Sequence, residues 1–177
     1  LGRGVDFELG QLALELLAQR QKALRGAVVE QRAAALAADV AKIEADAKAA
    51  LAELYATTPA AKVLGDKAKA ILVFPSILKA GLIIGGQGGN GALFVDGKVV
   101  GFYNTAAASY GLQAGAQEFA YAMFLMTDAA IDSVKKADGW EVGVGPSLVL
   151  VDEGVAKSLS TTTAKDDVYA FIFGQKG

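Results

Sequence analysis

Residues 91–103, GALFVDGKVVGFY, decide the fold class. Asp96-Gly97 is a dipeptide that accepts positive φ at both positions, as the two-residue turn of a tight hairpin demands. Apolar residues alternate on both sides of it, so ALFV and KVVGFY read as two antiparallel strands. The texture extends outward. KAILVF (69–74) and GLIIGG (81–86) are short β-branched or aromatic runs cut by glycine and predict further strands. SYGLQAGAQ (109–117) and FAYAMFLM (119–126) continue the sheet. Thr127 or Asp128 then caps a helix, DAAIDSVKKA, closed by Asp138-Gly139. WEVGVGPSLVLV (140–151) and VYAFIF (168–173) add strands, with a polar SLSTTTAKDD stretch between them.

The chain before the sheet is rich in Ala and Leu. From Leu36 the apolar residues run Leu36, Val40, Ile43, Ala47, Leu51, Leu54, one stripe of a helix. Gly26 separates this helix from an earlier one over residues 9–25, and VDFEL (5–9) alternates apolar and acidic residues like a short strand. Thr58-Pro59 predicts the start of a short helix over 59–68. The expected fold is therefore α+β: N-terminal helices packed on a curled, glycine-rich, antiparallel, barrel-like sheet, with one late helix.

Composition narrows the chemistry. The 177 residues contain no His and no Cys, which removes His bases, Ser-His-Asp and Cys-His nucleophiles, the usual zinc ligand sets and disulfides. No cofactor or metal is expected. A net charge of −2 gives no general attraction to nucleic acid. The most apolar run, AILVFPSILKAGLII (70–84), is interrupted by Pro75 and Lys79 and reads as buried strands rather than a membrane span. The chain opens on Leu1 without Met or the pattern of a signal peptide, as expected of a mature or engineered product whose targeting segment is gone.

Gly86-x-Gly88-x-x-Gly91 has the spacing of a dinucleotide loop. Such a loop must lead into a helix whose N-terminal amides hold the pyrophosphate, with a ribose-binding acid some 20 residues on. Here a strand and hairpin follow, and residues 106–112 read AAASYGL. These glycines are instead expected to serve bulges or close backbone approach in the sheet. Asp152-Glu153 and Asp166-Asp167 are adjacent pairs flanked by turn residues and read as solvated turns, not as a catalytic carboxylate pair. No enzymatic activity is expected.

KAKAILVFPSILKAGLIIGGQGGNGALFV (67–95), SYGLQAGAQ and VGVGPSLVL (142–150), in that order, resemble the successive motifs of the SYLF domain family. These are a Lys-Ala-Lys-Ala opening, Phe-Pro-x-x-x-Lys-Ala-Gly, a Gly-rich strand turn, Gly-Leu-Gln-x-Gly-x-Gln and a late Gly-Pro. The resemblance covers about residues 40–177. It implies a non-enzymatic domain that binds phospholipid or a membrane surface, with actin binding among eukaryotic members and an envelope location, periplasmic or at the outer membrane, for many bacterial ones. It divides the chain into an N-terminal helical extension, 1–32, and a SYLF-like domain, 33–177. In this family the domain continues past FGQKG with one more strand, whose vacant edge VDFEL is a candidate to fill.

Candidate lipid-binding residues are Lys62, Lys67, Lys69 and Lys79, with Phe74 and Trp140. Lysines near an anionic surface each contribute about 1 kcal/mol before screening; the alternative is a set of ordinary solvated lysines. Lys79 stands out because a charge between two apolar runs has to reach solvent, a partner or a head group. Phe74, Ile77 and Leu78 beside it either enter an acyl layer or pack in the core. Trp140 is either an interfacial anchor or the cap of a core end. Gln113 and Gln117 are candidates to hydrogen-bond a ligand, or one another's strands. The 33–56 helix carries Asp39, Glu44, Asp46 and Glu53 against Lys42 and Lys48, so it lacks a basic face. Self-association into a homo-oligomer or a partner contact is the second role open to the N-terminal helices.

Overall fold

The computed structural model describes residues 3–81, 84–110, 115–136, 146–152, 155–156, 159 and 164–176. The elements are α1 (Arg3–Thr57), α2 (Pro59–Gly65), β1 (Ala70–Gly81), β2 (Ile84–Val95), β3 (Lys98–Tyr110), β4 (Gly115–Leu125), α3 (Asp128–Lys135), β5 (Leu148–Leu150) and β6 (Val168–Lys176). The architecture is α+β, as the sequence predicts. The chain divides into two compact units, Leu1–Ala41 and Lys42–Gly177.

In the first unit the expectation of two helices and a short strand is overturned. α1 is continuous through Gly26 and includes VDFEL. A mid-helix glycine costs about 1 kcal/mol relative to Ala, too little to break a helix with good helix formers on both sides. Five alternating residues are likewise too few to resist it, and acidic side chains suit a helix N-terminus. Leu17, Leu24, Val28, Val29, Leu36 and Val40 are exposed along this unit.

In the second unit six strands lie in the order β3-β2-β1-β4-β6-β5. Two parts of the fold expectation are corrected. The sheet is mixed, because β5 joins β6 in parallel. It is also open rather than barrel-like: β3 and β5 are its edges, and a three-residue β5 offers too short a ladder to close on a 13-residue β3. KAILVF is the first half of one long strand, and GLIIGG straddles the end of β1 and the start of β2. The β2–β3 hairpin is as predicted, with Asp96 at φ 49° and Gly97 at φ 74°.

Pro75 and Ser76 sit inside β1 because the strand bulges there. Against β2 the register runs Val73↔Ala92 and then Leu78↔Gly88, and against β4 it runs Phe74↔Tyr121 and then Ile77↔Phe119. On both sides β1 uses one residue more than its neighbour, the signature of a bulge, where a proline's missing donor is tolerated. Ser76 Oγ donates to Glu118 Oε1 at 2.6 Å, tying the bulge to β4. Opposite it, a Cβ on Gly91 would stand 2.7 Å from Phe74 Cδ1 and from the Val73 carbonyl oxygen, and one on Gly89 would stand 2.3 Å from the Ser76 carbonyl oxygen. The glycines that mimic a nucleotide loop lie on β2, and of them Gly91, with Gly89 beside it, makes room for the bulge.

The two faces of the sheet are covered unequally. On one face Ala47, Ala50 and Leu54 of α1 pack with Val73, Phe94, Phe124 and Phe171. Phe124 meets Phe171 edge-on at 5.4 Å. Small alanines at 47 and 50 let the helix approach closely, and Leu51 of the predicted stripe sits at the margin. On the other face α3 brings Ala130 and Val134 onto Leu72, Leu93, Met123 and Leu125. Thr127 caps α3 by accepting from the Ala130 amide at 3.3 Å. α2 ends earlier than predicted, at Gly65, and Thr58 opens it without a side-chain cap bond.

Gly91→Ala is expected to destabilise the second unit by about 1–3 kcal/mol through overpacking. Gly26→Ala, which meets nothing within 4 Å, is expected to stabilise α1 by about 0.5–1 kcal/mol. Urea denaturation followed by circular dichroism checks the first, and amide hydrogen exchange in α1 the second.

Candidate functional site

α3 covers only part of its face of the sheet. Beyond it lies a cleft of about 550 Å³, floored by Leu72, Phe74 and Ile77 of β1 and by Phe119, Tyr121 and Met123 of β4. Tyr103 closes the β3 side, and Leu148 and Ile172 close the β5–β6 side. Cross-strand register explains the assembly. Phe74, Tyr121 and Ile172 are successive partners on β1, β4 and β6, so they form one apolar rung. Ile172 is 42% exposed, so the rung runs out into solvent. Burial raises the Tyr121 phenol above its ordinary pKa, as expected for a weakly hydrated wall.

Lys79 stands on the same face, two residues past Ile77. Its register partners are Gln87 on β2 and Gln117 on β4, giving a polar rung at the end of the apolar one. Gln87 also lines the cleft. Next to this end is a smaller polar hollow of about 330 Å³, formed by Gln117, Glu118, Phe119, Gln175 and Lys176. Phe119 belongs to both.

Phe74 and Lys79 are thus brought to one site, Phe74 buried in its floor and Lys79 half-buried at its end. Ile77 is packed beside Phe74, whereas Leu78 is exposed on the opposite face. Lys62, Lys67 and Lys69 lie before β1, and Lys69 stands roughly 30 Å from Lys79 at about 3.3 Å per strand residue. Lys62 pairs with Asp66 at 2.6 Å and rests 5.6 Å above the Tyr55 ring; Lys69 pairs with Asp128 at 2.8 Å. Lys67 is exposed in the turn after α2. Trp140 and Gln113 lie outside the described residues. On α1, Lys42 pairs with Asp46, and Lys48 with Glu44 at 2.6 Å.

Tyr121, Phe119 and Ile172 were missed as site residues because only the register aligns them. Tyr103 is part of the cleft wall. Among the described residues no group of three His, Cys, Asp or Glu is placed to hold a metal ion, and no helix is long and apolar enough to cross a membrane.

Asp166-Asp167 fall in a bend, as read, and Asp167 has a structural role there. It accepts from Thr127 Oγ1 at 2.8 Å, from the Ser147 amide at 2.9 Å and from Ser147 Oγ at 3.0 Å. The carboxylate joins the cap of α3 to the start of β5, two borders of the cleft. The Ser147 amide, then the Thr127 and Ser147 hydroxyls, hold its pKa below the ordinary carboxyl value. Tyr55, between α1 and α2, has its phenol pushed up to about 12 by burial and then by Asp66.

The chain matches no protein-family model, and no curated protein matches it.

Because the Asp167 pKa is lowered in the folded state, its stabilisation is present above the unfolded carboxyl pKa of about 3.9 and lost as pH falls through the folded value. Asp167→Asn is expected to cost less than about 1 kcal/mol at pH 7, because solvent screens this carboxylate, and to flatten the fall of Tm below about pH 4. Thermal melts from pH 7 to pH 2.5 check both effects.

Proposed function

We propose that this chain is a SYLF-like, non-enzymatic domain that binds phospholipid at a membrane surface, in a bacterial envelope. The observation that carries the reading is the half-open apolar cleft ending at Lys79. Soluble domains bury such a face, and one bordered by polar groups marks a ligand or interaction site. The motif resemblance over residues 40–177 supports the same reading, and its Phe-Pro-x-x-x-Lys-Ala-Gly motif supplies both Phe74 and Lys79. Lys79 meets the head group in this reading. Lys62, Lys67 and Lys69, before the far end of β1, add attraction to an anionic surface and contribute less because they lie away from the cleft.

The expected result is flotation with liposomes containing anionic phospholipid at low salt, weakened more by Lys79→Glu than by Lys69→Glu. Equal flotation of the wild type and both variants would reject the role of Lys79, and no flotation of the wild type would reject surface binding.

A second reading rests on α1. Val29 and Leu36 are each 65% exposed, and Val29, Ala33, Leu36 and Val40 are spaced 4, 3 and 4 apart, the seam of a helix that pairs with another. A second copy of the chain is the partner proposed for it. Light scattering is then expected to show an oligomer that Leu36→Asp dissociates; a monomeric wild type would reject this reading.

A further inference from the structure

We infer that the outer edge of β3 pairs with β3 of a second copy of the chain, antiparallel about a twofold axis through Thr105, so that two copies share one continuous sheet. The inference is independent of the lipid-binding reading and of the pairing proposed for α1.

The row of N–H and C=O groups along an open sheet edge is a template for another extended strand. Among the described residues nothing pairs with the outer edge of β3. The strand is long, Lys98–Tyr110, and it lacks the usual guards of an edge: it has no proline, and its one charge is Lys98. The register shift against β2 falls between Leu93↔Gly101 and Phe94↔Val99, at the same end as Lys98. Beyond it, Gly101–Tyr110 pair with β2 without interruption. The other edge, β5, is only three residues long.

The sequence of this run points to a second copy as the occupant. With no charge after Lys98, two copies meet along it without repulsion. A twofold axis normal to the sheet sets one residue opposite its own copy. With Thr105 on the axis, Phe102 stands opposite the second copy's Ala108, Tyr103 opposite its Ala107 and Asn104 opposite its Ala106. Each large residue meets an alanine, and Thr105 meets Thr105, a cross-strand pair that stabilises by hydrogen bonding. Moving the axis to Asn104 sets Tyr103 opposite Thr105, and moving it to Ala106 sets Phe102 opposite Tyr110, so both lose the match. Phe102 is 40% exposed in the single chain, and this pairing lays a neighbouring strand beside it. The paired run, Gly101–Ser109, spans roughly 30 Å and supplies about eight to ten backbone hydrogen bonds.

The pairing also arranges the cleft. An axis normal to the sheet leaves the α3 faces of both copies pointing the same way. Tyr103 and Thr105 line the cleft, so the two clefts lie side by side across the joint.

Cysteine crosslinking of the full chain tests this directly, because the sequence has no Cys of its own. Residues directly opposite on antiparallel strands have Cα atoms about 4.5–5.5 Å apart, within the roughly 4.4–6.8 Å that a disulfide spans. In this register Phe102 and its copy are six residues apart along the strands, roughly 20 Å. Thr105→Cys oxidised with diamide is expected to form an intermolecular disulfide at least about tenfold faster than Phe102→Cys. Mixing Phe102→Cys with Ala108→Cys chains is expected to restore the crosslink. By light scattering, Leu36→Asp, which removes α1 pairing, is expected to dissociate no further than a dimer. Adding Thr105→Lys, which sets two cations opposite one another, is expected to make that chain monomeric. Circular dichroism confirms that each variant is folded.

A Thr105→Cys chain that crosslinks no faster than Phe102→Cys, or a Leu36→Asp chain that is already monomeric, would overturn the inference. An extended peptide of another protein on this edge would give the first of these results. Neither result bears on flotation with liposomes, so the surface-binding reading stands or falls separately.

Discussion

The extra residue in β1 is the constraint on which the cleft depends. In a regular strand Phe74 and Ile77, three positions apart, would point to opposite faces. The bulge at Pro75-Ser76 returns Ile77 to the face of Phe74, and Lys79 then falls in line with both. This is possible only because β2 presents glycine at 89 and 91, where any side chain would collide with the bulged backbone or the Phe74 ring. One local irregularity therefore sets the length of the apolar floor and the position of the charge at its end.

The unequal cover of the two faces follows from which helix each receives. Residues 42–57 of α1 lay alanines and Leu54 along one face, and together with α2 they complete a core in which Leu54, Leu64, Phe124 and Tyr169 are almost wholly buried. The eight-residue α3 cannot span six strands. It covers Leu72, Leu93 and Leu125 and leaves Tyr121 and Ile172 at the margin of the cleft. Asp167 holds the Thr127 cap of α3 and Ser147 together, so a carboxylate outside the cleft fixes two of its borders.

Much of this was legible in the sequence. Asp96-Gly97 fixed the hairpin, Thr127 the start of α3, and the strand after Gly91 removed the nucleotide reading. Phe74 and Lys79 were singled out from local pattern alone. What was not legible depends on pairing between distant residues. No local signal shows that Lys79 lies between Gln87 and Gln117, that Phe74 shares a rung with Tyr121 and Ile172, or that β5 enters in parallel. The continuity of α1 through Gly26 was missed for a different reason: a glycine's cost is small against the propensity of its neighbours.

The most direct test of the proposal that this face of the sheet meets lipid is photocrosslinking with a diazirine-bearing dodecanoate, followed by peptide mapping. The account expects adducts within residues 72–79 and 117–123, competed by unlabelled dodecanoate. Adducts confined to residues 17–40 of α1, or none that dodecanoate competes, would contradict it.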